Sequence, residues 1–308
     1  MEKRGSRLLM PYLASGMNET RDIRLERIWI AIAAIVCFAI AESTLFVRNY
    51  LADLRSTLLT ALVLLVLCGI TNFFAREGEP REPLRDRRPS LQIWVCLFII
   101  ALTGVVNVIA SGTFSTTARS SDVSFRLTPG LAHDFGLGWF QFGLYVVFTA
   151  TILCKAGADL RGFGLIPKWH STIRPILLWV IPMAILLATA IAAQRYPVGD
   201  VGLRLLQNFF QNGFSEEFLF RGALLTRLRL NFSEPAANAI QAALFGLWHF
   251  GPIFYGTHGD FTATLSLALA GQAVFGAAMG FLALRLGSIA LPTVMHTLFD
   301  TWFDISRG

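Results

Sequence analysis

Three short runs hold side chains whose types and spacing could do chemistry. The first is NGFSEEFLFRG, which carries Glu216, Glu217 and Arg221. On a helix turning about 100° per residue, Arg204, Gln207, Asn208, Gln211, Asn212 and Ser215 form one polar stripe with Glu216 at its edge, and Glu217 points away from it. Glu217 and Arg221 are four apart and can pair, which leaves Glu216 uncommitted. The second run, ALFGLWHFGP, places Asn238, Gln241, Phe245 and His249 on one face, so that His249 ends a half-polar helix. Read alone, a histidine beside Trp248 is more often a packing residue. The third run, IALPTVMHTLFD, sets His296 and Asp300 one turn apart, where the carboxylate can fix the imidazole's tautomer or share a metal or a water with it.

Each cluster has a bland reading, that of solvated or packed side chains at helix ends. Their surroundings count against it. An ionised side chain at the centre of a membrane helix costs roughly 2.5–3.5 kcal/mol, so acids kept in apolar helices are candidates for function. Together the runs supply one free carboxylate and two imidazoles on three apolar helices. A glutamate in a low-dielectric cleft can take a proton from water, and a histidine can orient the same water or ligate a metal. Two histidines and one glutamate also match the three-ligand arrangement of a catalytic zinc, with Glu216, His249 and His296 as the ligands. Hydrolysis of a peptide bond is within reach of this set.

The ordered motifs E-E-x-x-x-R at 216–221, F-x-x-x-H at 245–249 and H-x-x-x-D at 296–300 resemble those of the CPBP, or Abi, family, which includes the type II CAAX prenyl proteases. Gly276, Gly280, Gly287 and Ser288 look like its last block. The resemblance covers roughly residues 200–304. It implies an intramembrane endopeptidase in which Glu216 and His249 activate a water while His296 and Asp300 stabilise the oxyanion. Glu217 and Arg221 would be a structural pair, and Phe245 a supporting residue of the motif. It further implies a prenylated or membrane-embedded peptide as substrate, and zinc as the metal if one is used. Many relatives carry Asn where Asp300 stands. An ionised Asp only accepts hydrogen bonds, so Asp300 aids the oxyanion only if protonated, and otherwise orients His296 or leans toward metal binding. Other intramembrane protease signatures are missing: there is no H-E-x-x-H, and Thr257 stands where a G-x-G-D motif needs glycine.

The elements that must position these residues read as membrane helices. Of 308 residues 54% are hydrophobic and 15% charged, and the mean hydropathy is +0.57. Such a composition lies in the membrane range. The net charge of +6 sits in short clusters between apolar runs, which read as topology signals rather than a nucleic-acid surface. Runs at 28–47, 57–74, 91–110, 138–154 and 175–193 are of spanning length. The segments 201–228, 235–250, 262–284 and 288–303 are helical by length and period but carry polar residues that need one another, or water. The expected architecture is an all-α, polytopic transmembrane bundle of about eight spanning helices. It divides into a mixed-charge tail at 1–27, N-terminal transmembrane helices at 28–195 and a catalytic helical region at 196–308.

The loop 76–90, the loop with Lys155, Arg161, Lys168 and Arg174, and the turn with Arg227 and Arg229 fall on one side, and the nearly neutral loops 111–137 and 251–261 on the other. The positive-inside rule then sets the N-terminus in the cytoplasm, of the inner membrane if the source is bacterial. The expected partners are lipid and a membrane-borne peptide, with no nucleic acid. Cys37, Cys68, Cys96 and Cys154 all lie in apolar stretches without metal-binding spacing. Two competing functions share the composition: a non-catalytic immunity or scaffold protein of the same family, and an ion-coupled transporter. No internal repeat of the kind transporters use is visible.

Overall fold

The computed structural model describes residues 10–74, 88–118, 139–167, 169–194 and 198–307. All regular elements among them are helices: α1 (Met10–Val47), α2 (Leu51–Phe74), α3 (Pro89–Ala118), α4 (Trp139–Lys155), α5 (Trp169–Gln194), α6 (198–228), α7 (Glu234–Trp248), the short α8 (Phe250–Gly256), α9 (Phe261–Leu286) and α10 (Ala290–Arg307), with one 3-10 turn at Leu160–Phe163 between α4 and α5. Among the described residues, five helices are long and apolar enough to cross a membrane, within α1, α2, α3, α5 and α9, and α4 is a shorter apolar helix. Exposed Ile28, Ile35, Leu59, Leu65, Phe98 and Ile181 clothe the outer helices. Aliphatic surface of this kind is stable only against lipid, and the chain is an integral, multi-pass membrane protein.

Burial separates an outer shell from an inner bundle. Half of the spanning window of α9 is buried, against 17% for α1 and for α2. The core is built largely from α6, α7, α9 and α10, through Phe218, Phe220, Leu224, Phe245, Met279, Leu282 and Leu291. Two hydrogen bonds fasten the shell to each other and to this bundle: the indole of Trp248 donates to Thr103 at 2.9 Å, and that of Trp179 to Thr71 at 2.7 Å.

Local chemistry sets the helix ends. Asp260 caps α9 by accepting from the amides of Thr262 and Ala263, and Ser233 caps α7 by accepting from that of Ala236. Gly287, at φ +68°, closes α9 in a left-handed turn open to glycine at little cost. Gly276 and Gly280 face α7: a Cβ on Gly276 would lie 3.1 Å from the ring of Phe245, and one on Gly280 would meet Asn238 and Gln241. This small-residue face packs inside the chain.

Several expectations shift. The apolar segments 201–228, 262–284 and 288–303 are α6, α9 and α10, but 235–250 ends at Trp248 and the chain turns at His249 into α8. Residues 111–118, expected in a loop, extend α3, and α1 already begins at Met10, inside the segment read as a tail. Most of the 76–90 loop and the rest of 111–137 lie outside the described residues. Arg227 is no solvated topology signal. It is fully buried, donates to Gln92 at 3.1 Å and to the Gly222 carbonyl at 2.9 Å, and lies over the Phe163 ring.

Candidate active site

Helix α6 is not a regular α-helix. Its backbone runs as π-helix over Phe209–Gly213 and again over Phe218–Leu225. A π turn inserts an extra residue and frees a carbonyl, and such turns recur at functional sites. The hydroxyl of Ser215 donates to the carbonyl of Phe210, five residues back. That extra residue rotates everything beyond it by about 100°. Glu216 and Glu217 therefore take the faces that an uninterrupted helix would give to Ser215 and Glu216. Glu217, expected to point away from the polar stripe, is instead carried to its edge, and both carboxylates face inward.

The chemistry-bearing residues then meet. Glu217 Oε1 lies 3.0 Å from Arg221 Nη1 and 2.8 Å from His296 Nδ1, and both members of the Glu217–Arg221 pair are fully buried. The Arg221 guanidinium also donates to the Gly276 carbonyl at 3.2 Å and stacks over the Phe245 ring at 4.3 Å, a desolvated cation–π contact. Phe245 does more than fill space. Its carbonyl takes the Nδ1 proton of His249 at 2.9 Å, and its ring lies 4.6 Å from that imidazole and 6.1 Å from that of His296.

Glu216 is buried and its Oε2 has no hydrogen-bond partner among the described residues. Two imidazole nitrogens face this oxygen, His249 Nε2 at 3.7 Å and His296 Nε2 at 3.9 Å. A backbone carbonyl only accepts, so His249 carries a proton on Nδ1 and, when neutral, a lone pair on Nε2. Glu217, by accepting at Nδ1, fixes His296 in the same tautomer. Asp300 Oδ2 stops 3.6 Å from His296 Nε2 and accepts from Asn212 Nδ2 at 2.8 Å. Orienting His296 was one of the roles open to Asp300; the carboxylate within hydrogen-bond distance of the ring is that of Glu217, 79 residues away in sequence. Asn212 was legible as a member of the polar stripe, but its carboxylate partner was not.

Beyond the site the same two helices continue in register. Asn208 donates to Asp304 at 3.0 Å and to Thr301 at 3.2 Å, and Arg204 lies 3.7 Å from Asp304. Gly213 permits this closeness, since a Cβ there would meet Thr297 and, at 3.1 Å, the Thr293 carbonyl.

Zinc has donors of the right type here, and both imidazoles bind an acceptor through the outer N–H, as metal-bound histidines do. The spacing does not close. With bonds of about 2.0–2.1 Å, the edge of a tetrahedral site is about 3.3 Å, whereas the Nε2–Oε2 gaps are 3.7 and 3.9 Å. Among the described residues no group of three or more His, Cys, Asp or Glu is set to hold a metal ion.

Residues 199–302 match the family model described as type II CAAX prenyl endopeptidase Rce1-like. No curated protein and no solved structure matches the chain. The matched residues run from the start of α6 into α10 and contain every side chain of the cluster. This third of the chain is similar to the type II CAAX prenyl endopeptidases.

Proposed function

We propose that the chain is an intramembrane endopeptidase in which Glu216 is the general base. The observation that carries this reading is the buried Glu216 oxygen without a partner, faced by the Nε2 atoms of His249 and His296. A water hydrogen-bonded to Glu216 and to His249 Nε2 loses one proton to Glu216 as its oxygen attacks the scissile carbonyl. Glu216 then returns that proton to the leaving amine, which completes the addition of water across the peptide bond. His296, in its imidazolium form, donates from Nε2 to the oxyanion, with Glu217 holding the ring through Nδ1 and the Asp300 carboxylate beside the cation. Glu217 and Arg221 act as the buried frame. The substrate is a prenylated C-terminus or another membrane-borne peptide, reached from lipid.

The test is cleavage of a quenched farnesylated CAAX peptide by the purified chain in liposomes. Glu216→Ala and His249→Ala should each lower kcat by about 10²–10⁴-fold, the range of a lost general base. A folded native chain that cleaves neither this peptide nor a panel of membrane peptides would sink the reading and leave the scaffold function in its place. A transporter is the remaining alternative, tested by ion flux in the same liposomes. A chelator arm addresses zinc, whose ligands would be Glu216, His249 and His296. Activity lost to the chelator and restored by zinc assigns the metal, and activity that survives it assigns direct activation by Glu216.

A further inference from the structure

Asp300 stands one turn beyond His296 on α10, the spacing at which a carboxylate closes onto an imidazole. It does not close. Its Oδ2 stops 3.6 Å from Nε2, outside hydrogen-bond range, and takes a 2.8 Å bond from the Asn212 amide instead. A carboxylate only accepts, so the amide must turn its N–H toward it. His296 has already given Nδ1 to Glu217. If Asp300 closed as well, both ring nitrogens would be occupied and none would face a reacting group. The amide that bonds this oxygen belongs to another helix, placed by the first π turn of α6. The preceding turn holds that helix in register, since Asn208 bonds Asp304 and Thr301 of α10. The backbone that carries Asn212 therefore cannot slide along α10 without breaking a second set of bonds.

We infer that Asn212 is a positioning residue that holds the Asp300 carboxylate off His296 and keeps Nε2 open to the reacting group. This rests on the endopeptidase function proposed above. Asn212 touches neither water nor substrate in this role; it acts through Asp300. With the amide in place, Asp300 contributes negative charge beside the imidazolium without taking its N–H. Without the amide, the same carboxylate swings onto Nε2 and caps it.

A double-variant cycle tests this. In the native background Asn212→Leu should lower kcat about tenfold with KM within about twofold, the signature of an interaction that matters in the transition state. In an Asp300→Ala background the same change should cost nothing, because no carboxylate remains to be held. Because the two side chains are bonded, a merely structural bond would couple as well, so melting curves are read beside the kinetics. A structural role lowers the thermal midpoint and leaves kcat per folded enzyme native, and that result too overturns the inference. Equal costs, or a native-like Asn212→Leu enzyme, overturn the inference. Asn212→Ala carries the same expectation where the leucine disturbs folding, and Asp300→Leu, which leaves no acceptor to close on Nε2, serves as the second background where Asp300→Ala disturbs it. Glu216→Ala run in parallel separates the two ideas. Activity that dies with Glu216 but ignores Asn212 defeats this inference alone, while a native chain that cleaves nothing defeats both.

Discussion

Glu217 holds two partners through one oxygen, and that economy makes it the residue on which the site's geometry turns. The Arg221 guanidinium balances its charge at 3.0 Å while His296 leans on it at 2.8 Å. Removing one member of a buried pair leaves the other uncompensated, at a cost of about 3–5 kcal/mol. Arg221→Ala should therefore lower the thermal midpoint of the detergent-solubilised chain sharply and abolish cleavage with it. Glu217→Gln keeps an acceptor for the His296 N–H and should retain more stability than Arg221→Ala; comparing the two melting curves checks the ranking, and equal curves would show that the retained acceptor adds nothing once the charge pair is broken. The Glu217–Arg221 pair was legible because it lies within one turn of one helix. The Glu217–His296 bond was not, because a contact between residues 79 apart depends on how α6 packs on α10.

At the scale of the element, the hydropathy pattern locates helices well and their internal irregularities poorly. Lipid-facing α1, α2, α3 and α5 declare themselves by length and apolar content. The π turns of α6 do not, because no residue type demands them. They are capped within the helix itself, where Ser215 takes up the Phe210 carbonyl and buried Arg227 that of Gly222. The helical wheel thus places the stripe correctly up to the first π turn and misplaces Glu217 after it. Close backbone approach is a second feature that composition hides. Gly246 on α7 faces a π-helical stretch of α9, Ala268–Ala273, where a Cβ would lie 2.5 Å from the Ala268 carbonyl oxygen and 3.1 Å from the Ala273 nitrogen. Backbone cannot rotate away as a side chain can. Gly246→Ala should cost about 1–3 kcal/mol, the usual range for overpacking, and shift α7 together with His249 at its end. Thermal unfolding and cleavage should both fall; an unchanged melting curve would mean that the two helices have room to separate.

For the whole molecule, the contacts between helix ends sort into two opposite faces. On one, Ser233 donates to Glu26 at 2.6 Å, Arg285 to the Asn72 carbonyl at 3.4 Å, and Arg227 to Gln92 at 3.1 Å. The Ile289 amide donates to the Gly164 carbonyl at 3.0 Å on that same face. On the other, Tyr50 donates to the Thr257 carbonyl at 3.4 Å and Arg48 lies 3.7 Å from Asp260. Every connection joins the ends that an alternating, membrane-crossing path requires. Burial of Arg227 removes one cation from the first face's charge, yet Lys155, exposed Arg161, Arg229 and Arg285 remain there, and at the second Arg48 is offset by Asp260. By the positive-inside rule the prediction is that the first face is the cytoplasmic one. In a background with the native cysteines replaced, Arg161→Cys should react with a membrane-impermeant maleimide only in inverted vesicles, and His258→Cys only in right-side-out ones. The opposite pattern would turn the chain over without disturbing a single contact in the site. Labelling of both positions from one side would be incompatible with the alternating path itself, because Arg161 and His258 belong to opposite faces of the bundle.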